Sequence, residues 1–75
     1  MIINYPDRDI AVHINATRGD RATIELEATD CPAFEVRTYL NEKDIKHKLY
    51  RIGAYLNALL NAGEPNIQQK IQMAI

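Results

Sequence analysis

The stretch that decides the fold runs from residue 41 to residue 62 and reads NEKDIKHKLYRIGAYLNALLNA. Its large aliphatic residues follow one another at steps of four, three, four and three: Ile45, Leu49, Ile52, Leu56 and Leu59. Because residues three and four apart share one face of an α-helix, this spacing predicts a helix with a single apolar stripe. We expect the helix over about residues 42–62, with Asn41 as its N-cap and Gly63 just beyond its end.

The residues before this helix alternate between apolar and polar side chains. Three such runs cover about residues 10–16, 21–28 and 33–40, and a shorter apolar run covers residues 2–5. A period of two is typical of strands that bury one face, so these runs predict three or four strands. The Asp-Cys-Pro sequence at residues 30–32 is expected to form the turn between the last two.

Two details of strand pairing also follow from the sequence. Residues 17–19, Thr-Arg-Gly, are expected to form a three-residue hairpin loop with the glycine in the left-handed conformation, which pairs Ile14 with Ala22. In the next hairpin we expect Glu27 to face Arg37, because the competing register sets two glutamates opposite each other.

The C-terminal segment predicts a second, short helix over about residues 66–74. Ile67, Ile71 and Ile75 recur at steps of four, and Asn66 is a suitable capping residue. A helix this short must dock to persist, either beside the first helix or on another subunit. The whole pattern predicts one α+β domain, a two-layer sandwich in which an antiparallel β-meander of three to four strands packs on one long helix, followed by a short C-terminal helix.

Composition restricts the function classes. The chain has 75 residues, 47% hydrophobic and 25% charged, with a formal net charge of −1, so any binding by charge must come from a local patch. The single cysteine, Cys31, cannot form an intramolecular disulfide, which is typical of a reducing compartment. The sequence has neither the pattern of a signal peptide nor an 18-residue apolar run. We therefore expect a cytoplasmic protein that does not enter the membrane.

Residues that could carry catalysis are sparse and scattered. His13 and His47 lie on different predicted elements, Cys31 lies beside a proline, and the chain contains no serine. Residues 7–9, Asp-Arg-Asp, lack the ligand spacing of a calcium loop, and we interpret them as a solvated surface turn. The expectation is a protein that is not an enzyme, with no catalytic residue, no cofactor and no metal site.

The first half of the long helix carries an unusual number of basic side chains. They are Lys43, Lys46, His47, Lys48 and Arg51, with Tyr50 among them. Cations near a helix N-terminus oppose the helix dipole, which suggests that this patch meets a phosphate backbone or an acidic protein surface. The alternative is a solvated helix face whose lysines pair with Glu42 and Asp44.

The second half of the same outer surface is small and uncharged. Ala54, Asn57, Ala58 and Asn61 would let another helix approach closely, so a homodimer or a contact with a host protein is one interpretation, and a plain solvent face is the other. The residues predicted to bind a partner, counted over both halves, are Lys43, Lys46, His47, Tyr50, Arg51, Ala54 and Ala58.

These features favour a non-enzymatic protein that binds another protein. Small inhibitors and regulators encoded by phages and plasmids, including those that bind bacterial defence complexes, are of this kind, and this analogy rests on size and missing catalytic equipment alone. The alternative function is a small nucleic-acid-binding module that presents the basic first half of the helix to phosphates.

Overall fold

The computed structural model describes residues 1–41 and 43–75. It contains the strands β1 (Ile2–Asn4), β2 (Asp9–Arg18), β3 (Arg21–Ala28) and β4 (Cys31–Tyr39) and the helices α1 (Ile45–Asn61) and α2 (Ile67–Ala74). The strands form one antiparallel sheet in the order β1-β2-β3-β4. The predicted α+β architecture, a meander followed by a long and a short helix, is confirmed.

The core lies between one face of the sheet and the two helices. The predicted stripe of α1 supplies Leu49, Ile52, Leu56 and Leu59, all of them buried. Burial of a large aliphatic side chain contributes about 1.5–3 kcal/mol before conformational entropy is subtracted, so this stripe is a main source of stability. One polar residue, Thr38, also points inward, and its hydroxyl donates locally to the carbonyl oxygen of Tyr39 at 3.4 Å.

The β2–β3 hairpin differs from the expected register by two residues. Ile14 pairs with Ile24 instead of Ala22. The turn contains two residues, Gly19 and Asp20, and not the three that were expected. Gly19 does adopt the left-handed conformation, with φ of +64°. Two-residue turns match the natural twist of antiparallel strands, which explains why the shorter turn forms.

A β-bulge at Asn15 makes the shorter turn compatible with a buried core. The register shifts between Ile14 and Ala16, so Asn15 is an extra residue on β2. Without this bulge, the turn would set Ile14 opposite Glu25 and would point one strand's apolar face to solvent. The bulge therefore keeps the apolar side chains of β2 on the buried face of the sheet. The alternation of the sequence alone does not reveal this bulge.

The turn between β3 and β4 also begins earlier than expected. Ala28 pairs with Cys31, so the turn is Thr29–Asp30, and both Cys31 and Pro32 belong to β4. An irregularity in the ladder follows directly after Cys31. Proline is tolerated here because β4 is an edge strand, where a missing N–H group breaks no pairing.

The predicted pairing of Glu27 with Arg37 is wrong. Arg37 lies opposite Thr23, and Glu25 lies opposite Glu35. Apolar pairs between β3 and β4 on the buried face fix this register, and their burial is worth several times the few tenths of a kcal/mol that a cross-strand charge pair contributes. Two glutamates are therefore held face to face on the exposed side of the sheet.

Helix α1 begins three residues later than predicted, at Ile45. Asp44 occupies the N-cap position without a side-chain hydrogen bond to the helix. The side-chain oxygen of Asn41 accepts from the backbone N–H of Lys43 at 3.2 Å, so Asn41 stabilises the turn before the helix instead of capping it. The predicted roles of Glu42 lie outside the described residues.

The connection between the helices has left-handed residues at both ends. Gly63 follows α1 with φ of +65°, as predicted, and the N–H groups of Gly63 and Glu64 donate to the carbonyl oxygens of Leu60 and Leu59. This pattern is a Schellman motif. Asn66 begins α2 with φ of 57° and without a side-chain cap, so its predicted capping bond is absent.

Helix α2 docks on its own chain. Ile71 is completely buried, and α2 lies against both α1 and β4. The side chain of Gln72 accepts from the backbone N–H of Arg37 at 2.8 Å and donates to the carbonyl oxygen of Arg37 at 2.7 Å. Gln68 donates to the carbonyl oxygen of Glu35 at 2.8 Å. Of the two predicted docking sites for α2, the intramolecular one is therefore occupied.

These contacts close the outer edge of β4. An edge strand exposes backbone groups that can pair with another chain, and side chains from a covering helix block such pairing. Lys48 of α1 adds a third contact, because its ammonium group donates to the carbonyl oxygen of Tyr39 at 2.6 Å.

Within the described residues, no helix is long and apolar enough to cross a membrane.

Candidate functional site

The residues predicted to bind a partner lie together on the exposed side of α1. They are Lys43, just before the helix, and Lys46, His47, Tyr50, Arg51, Ala54 and Ala58 within it, and every one is exposed. This grouping follows from the buried stripe, because residues on the opposite side of the same helix must face solvent. We call these seven residues the outer face of α1.

The charges of the outer face lack partners in the described part of the chain. In this part of the chain Lys43, Lys46 and Arg51 form no ion pair, so the alternative interpretation, in which the lysines pair with acidic neighbours, is not met at Asp44, and its other partner, Glu42, lies outside the described residues. Lys48 behaves differently, because it is bound to the β4 edge. Charges of one sign that stay solvated and close together attract an oppositely charged surface.

A groove runs between α1 and α2, beside the basic half of the outer face. It has a volume of about 620 Å³, and its lining includes Arg51, Ala54, Tyr55, Ala58, Ala74 and Ile75. Most of the lining is apolar, and its charged residues are Lys48 and Arg51. The groove was not predictable from the sequence because it depends on the position of α2, although the small residues Ala54 and Ala58 indicated a close approach.

Asn57 and Asn61, two of the small uncharged residues on the second half of α1, are hydrogen-bonded to a side chain of the same chain. The guanidinium group of Arg8 donates to the side-chain oxygens of both, and the distance to Asn61 is 2.7 Å. The same guanidinium donates to Asp30 through Nε at 3.1 Å and to Asp7 at 3.2 Å. Asparagines four residues apart on one helix were the only sequence signal for this arrangement.

The Arg8 cluster, formed by Arg8, Asp7, Asp30, Asn57 and Asn61, joins three separate segments. It connects the β1–β2 turn, the β3–β4 turn and the C-terminal half of α1. Only 10% of the Arg8 side chain is exposed, so the interpretation of residues 7–9 as a solvated turn is wrong for its central residue. The hydrogen bonds from Arg8 hold the pKa of Asp30 below its usual range. The cluster holds the two turns against α1, because a planar guanidinium can donate to several acceptors at once.

The exposed face of the sheet carries its own polar contacts. Asn15, at the bulge, donates to Glu35 at 2.8 Å and to Glu25 at 3.4 Å. At the other end of the face, the guanidinium of Arg21 lies over the ring of Tyr39, 5.3 Å from its centroid. Asn15 therefore relieves part of the repulsion between the two glutamates.

The described ranges, 1–41 and 43–75, hold no group of three or more His, Cys, Asp or Glu side chains that could bind a metal ion. Burial, and then the nearby Asp30, raises the pKa of the Cys31 thiol, and a thiol that stays protonated is a poor nucleophile. Burial, and then Tyr50, likewise raises the pKa of Tyr5.

Comparison with protein families, with curated proteins and with solved structures gives no match. A fold of this class hosts many unrelated functions, so the architecture does not select one. A function for this chain must therefore be argued from its surfaces: the outer face of α1, the groove and the exposed face of the sheet.

Proposed function

We propose that the chain is a non-enzymatic binding protein that docks on another protein through the outer face of α1 and the groove between α1 and α2. The observation that carries this proposal is the adjacency of two features at Arg51. On one side lie exposed cations without partners among the described residues, and on the other side lies an apolar groove of about 620 Å³.

The two features together define the chemistry of the partner. Lys43, Lys46 and Arg51 favour carboxylate groups, and a groove lined by Ala54, Ala58 and Tyr55 favours an apolar side chain. A protein segment with an apolar anchor next to acidic residues offers both. Anchors of this kind dominate the energy of many protein interfaces, while the surrounding charges mainly set the association rate and the specificity.

The biological setting that we propose is inhibition or regulation of a larger complex. A small domain without catalytic residues can act by occupying a surface that the complex needs, as phage- and plasmid-encoded inhibitors of host proteins do, including those directed at bacterial defence systems. This part of the proposal rests on analogy of size and composition.

Nucleic acid is the second candidate partner. The exposed cations of the outer face, with Tyr50 among them, favour it. A phosphate backbone, however, has no apolar group that would fill the groove, and the net charge of −1 gives no general attraction to polyanions. Protein is therefore the preferred partner.

Capture from a bacterial lysate with variants on each feature tests the proposal. We expect a protein that co-purifies with the wild type to be lost with Lys46→Glu/Arg51→Glu and with Ala58→Arg, which fills the groove. The matched control is Arg21→Glu/Arg37→Glu, which makes the same change of net charge on the sheet and should retain the partner. Each variant should melt as a folded protein before it is used.

Three outcomes contradict the proposal. Undiminished capture by both outer-face variants excludes this surface, and equal loss with the sheet control indicates general electrostatic attraction. Recovery of nucleic acid whose binding falls steeply with rising salt supports the second candidate instead, because displacement of counterions makes phosphate binding strongly salt-dependent.

A further inference from the structure

The exposed face of the sheet has its charges sorted by sign. Its acidic end, towards the Thr29–Asp30 turn, carries Glu25, Glu27 and Glu35. Its basic end, towards the Gly19–Asp20 turn, carries Arg18, Arg21 and Arg37. Alternation along the strands places all six side chains on the side opposite the helices. We infer that this face is the interface of a homodimer, in which two copies pack face to face with their strands reversed.

The arrangement of charges within one copy is unfavourable. Glu25 lies directly opposite Glu35, and Arg18 lies directly opposite Arg21, so each end holds a like-charge cross-strand pair. Such pairs destabilise a sheet. Among the residues that the structure describes, no ion pair is recorded for any of the six charges. A surface of opposite charge would relieve both ends.

The register of the sheet identifies a second copy as that surface. Ile24 and Val36 are paired across β3 and β4. A twofold axis that lies along this row, parallel to the plane of the sheet, reverses the direction of the strands. It places each strand of one copy over the same strand of the other copy. Glu27 and Arg21 lie at equal distances on either side of Ile24, and Glu35 and Arg37 lie on either side of Val36. The axis therefore sets each of these glutamates over an arginine of the other copy, and symmetry doubles both pairs.

The residues between the two ends allow close approach. Between the charged ends the face carries the small side chains of Ala16 and Thr23 together with His13 and Asn15, while Tyr39 and Ile2 lie near the margins with 58% and 67% of their surfaces exposed. Sheets pack face to face about 10 Å apart, which suits side chains of these sizes. The apolar margins add contact area that the ion pairs alone would not supply.

The face is small for a specific protein–protein interface. Eight residues of β3 at about 3.3 Å each, and four strands about 4.8 Å apart, give an upper limit of about 500 Å², because β1 has only three residues. Specific interfaces bury about 800 Å² on each partner, so this one lies at the lower end. We therefore expect a dimer that forms at high protein concentration and weakens as salt rises.

Sedimentation of the full chain and of two charge-swapped variants tests the inference. The first variant, Arg21→Glu/Arg37→Glu, makes the face acidic, and the second, Glu27→Arg/Glu35→Arg, makes it basic. We expect the wild type to dimerise between about 10 µM and 1 mM at low salt, and each variant alone to dimerise at least about tenfold more weakly. An equal mixture of the two variants should form a heterodimer at least as tight as the wild-type dimer, because all four contacts are then complementary.

Two controls separate this interface from the outer face of α1. Lys46→Glu/Arg51→Glu changes the net charge as much as the first variant does and should leave dimerisation unchanged. Amide chemical shifts of the unmodified chain, followed on dilution, should move at the exposed residues of β3 and β4 and stay constant on α1. This second measurement does not depend on any variant folding.

The result that overturns the inference is a wild-type chain that stays monomeric at about 1 mM and low salt. Dimerisation that persists in both swapped variants, or a mixture that fails to associate, also overturns it. Since the inference concerns the sheet and the proposed function concerns the helices, either one can fail without the other.

Discussion

The basic side chain of Arg8 and those of Lys46 and Arg51 have opposite environments. Arg8 is 90% covered and donates hydrogen bonds to Asp30, Asn57 and Asn61. Lys46 and Arg51 are exposed and without recorded ion pairs in the described residues. The difference lies in the neighbours that the fold brings to each cation. A charged side chain surrounded by matched acceptors contributes to stability, whereas one that meets only water is available for binding.

The largest expected effect on stability comes from Arg8→Ala. The substitution removes charge-assisted hydrogen bonds that join two turns to α1 and leaves their acceptors without a donor. We expect the free energy of unfolding to fall by about 2–3 kcal/mol, which corresponds to a drop in Tm of about 10–20 °C for a domain of this size. Thermal and urea unfolding monitored by circular dichroism measure both quantities.

Arg51→Ala and Arg8→Lys are the controls for this prediction. Arg51→Ala removes a cation of the same type from the outer face of α1 and should change the free energy of unfolding by less than about 0.5 kcal/mol. Arg8→Lys keeps the charge but loses the planar fork, so its effect should fall between the two. If the stability of Arg8→Ala equals that of Arg51→Ala, the Arg8 cluster does not stabilise the fold.

A smaller effect is expected at Asp30, which is only one of the Arg8 partners. Because the pKa of Asp30 is lowered in the folded chain, the ionised carboxylate favours folding at pH values above the ordinary aspartate pKa. This contribution is lost as the pH falls through the lower pKa of the folded state. Asp30→Asn should therefore melt below the wild type at pH 7 and approach it once the pH falls below the lowered pKa of the folded state.

Melting curves over this pH range, at low and at high salt, check the prediction. Asp9→Asn is the matched control, because Asp9 is exposed and its neutralisation should give no comparable loss at pH 7. The difference between Asp30→Asn and the wild type should also shrink at high salt, since an exposed ion pair is screened. A difference that stays constant from pH 7 to pH 2 would show that the carboxylate charge of Asp30 is not involved.

Part of the fold was predictable from the sequence. The α+β class, the stripe of α1 and the grouping of the outer face follow from periodicity, because a repeat of 3.6 or 2 residues assigns each side chain to a face. The strand registers were not predictable, because the bulge at Asn15 and the irregularity after Cys31 shift the pairing without disturbing the alternation.

The Arg8 cluster and the groove were not predictable for a different reason. Apart from the adjacent Asp7, the partners of Arg8 lie 22, 49 and 53 residues away along the chain, so no local pattern connects them to it. The groove exists only because α2 folds back onto α1 and β4, with Gln68 and Gln72 bound to the strand edge. Local patterns identify the faces of elements, whereas sites built between elements need the tertiary structure.

The smallest expected effect on stability comes from Lys46→Glu/Arg51→Glu on the outer face of α1. Both side chains are exposed, so no packing is lost, and glutamate at position 46 lies in the first turn of α1, where negative charge interacts favourably with the helix dipole. We expect the free energy of unfolding to stay within about 0.5 kcal/mol of the wild type, or to rise slightly. Urea unfolding of both proteins, side by side, measures the difference. A loss of more than about 1 kcal/mol would mean that these cations hold the fold together as Arg8 does, and their exposure could no longer be taken as a sign of binding.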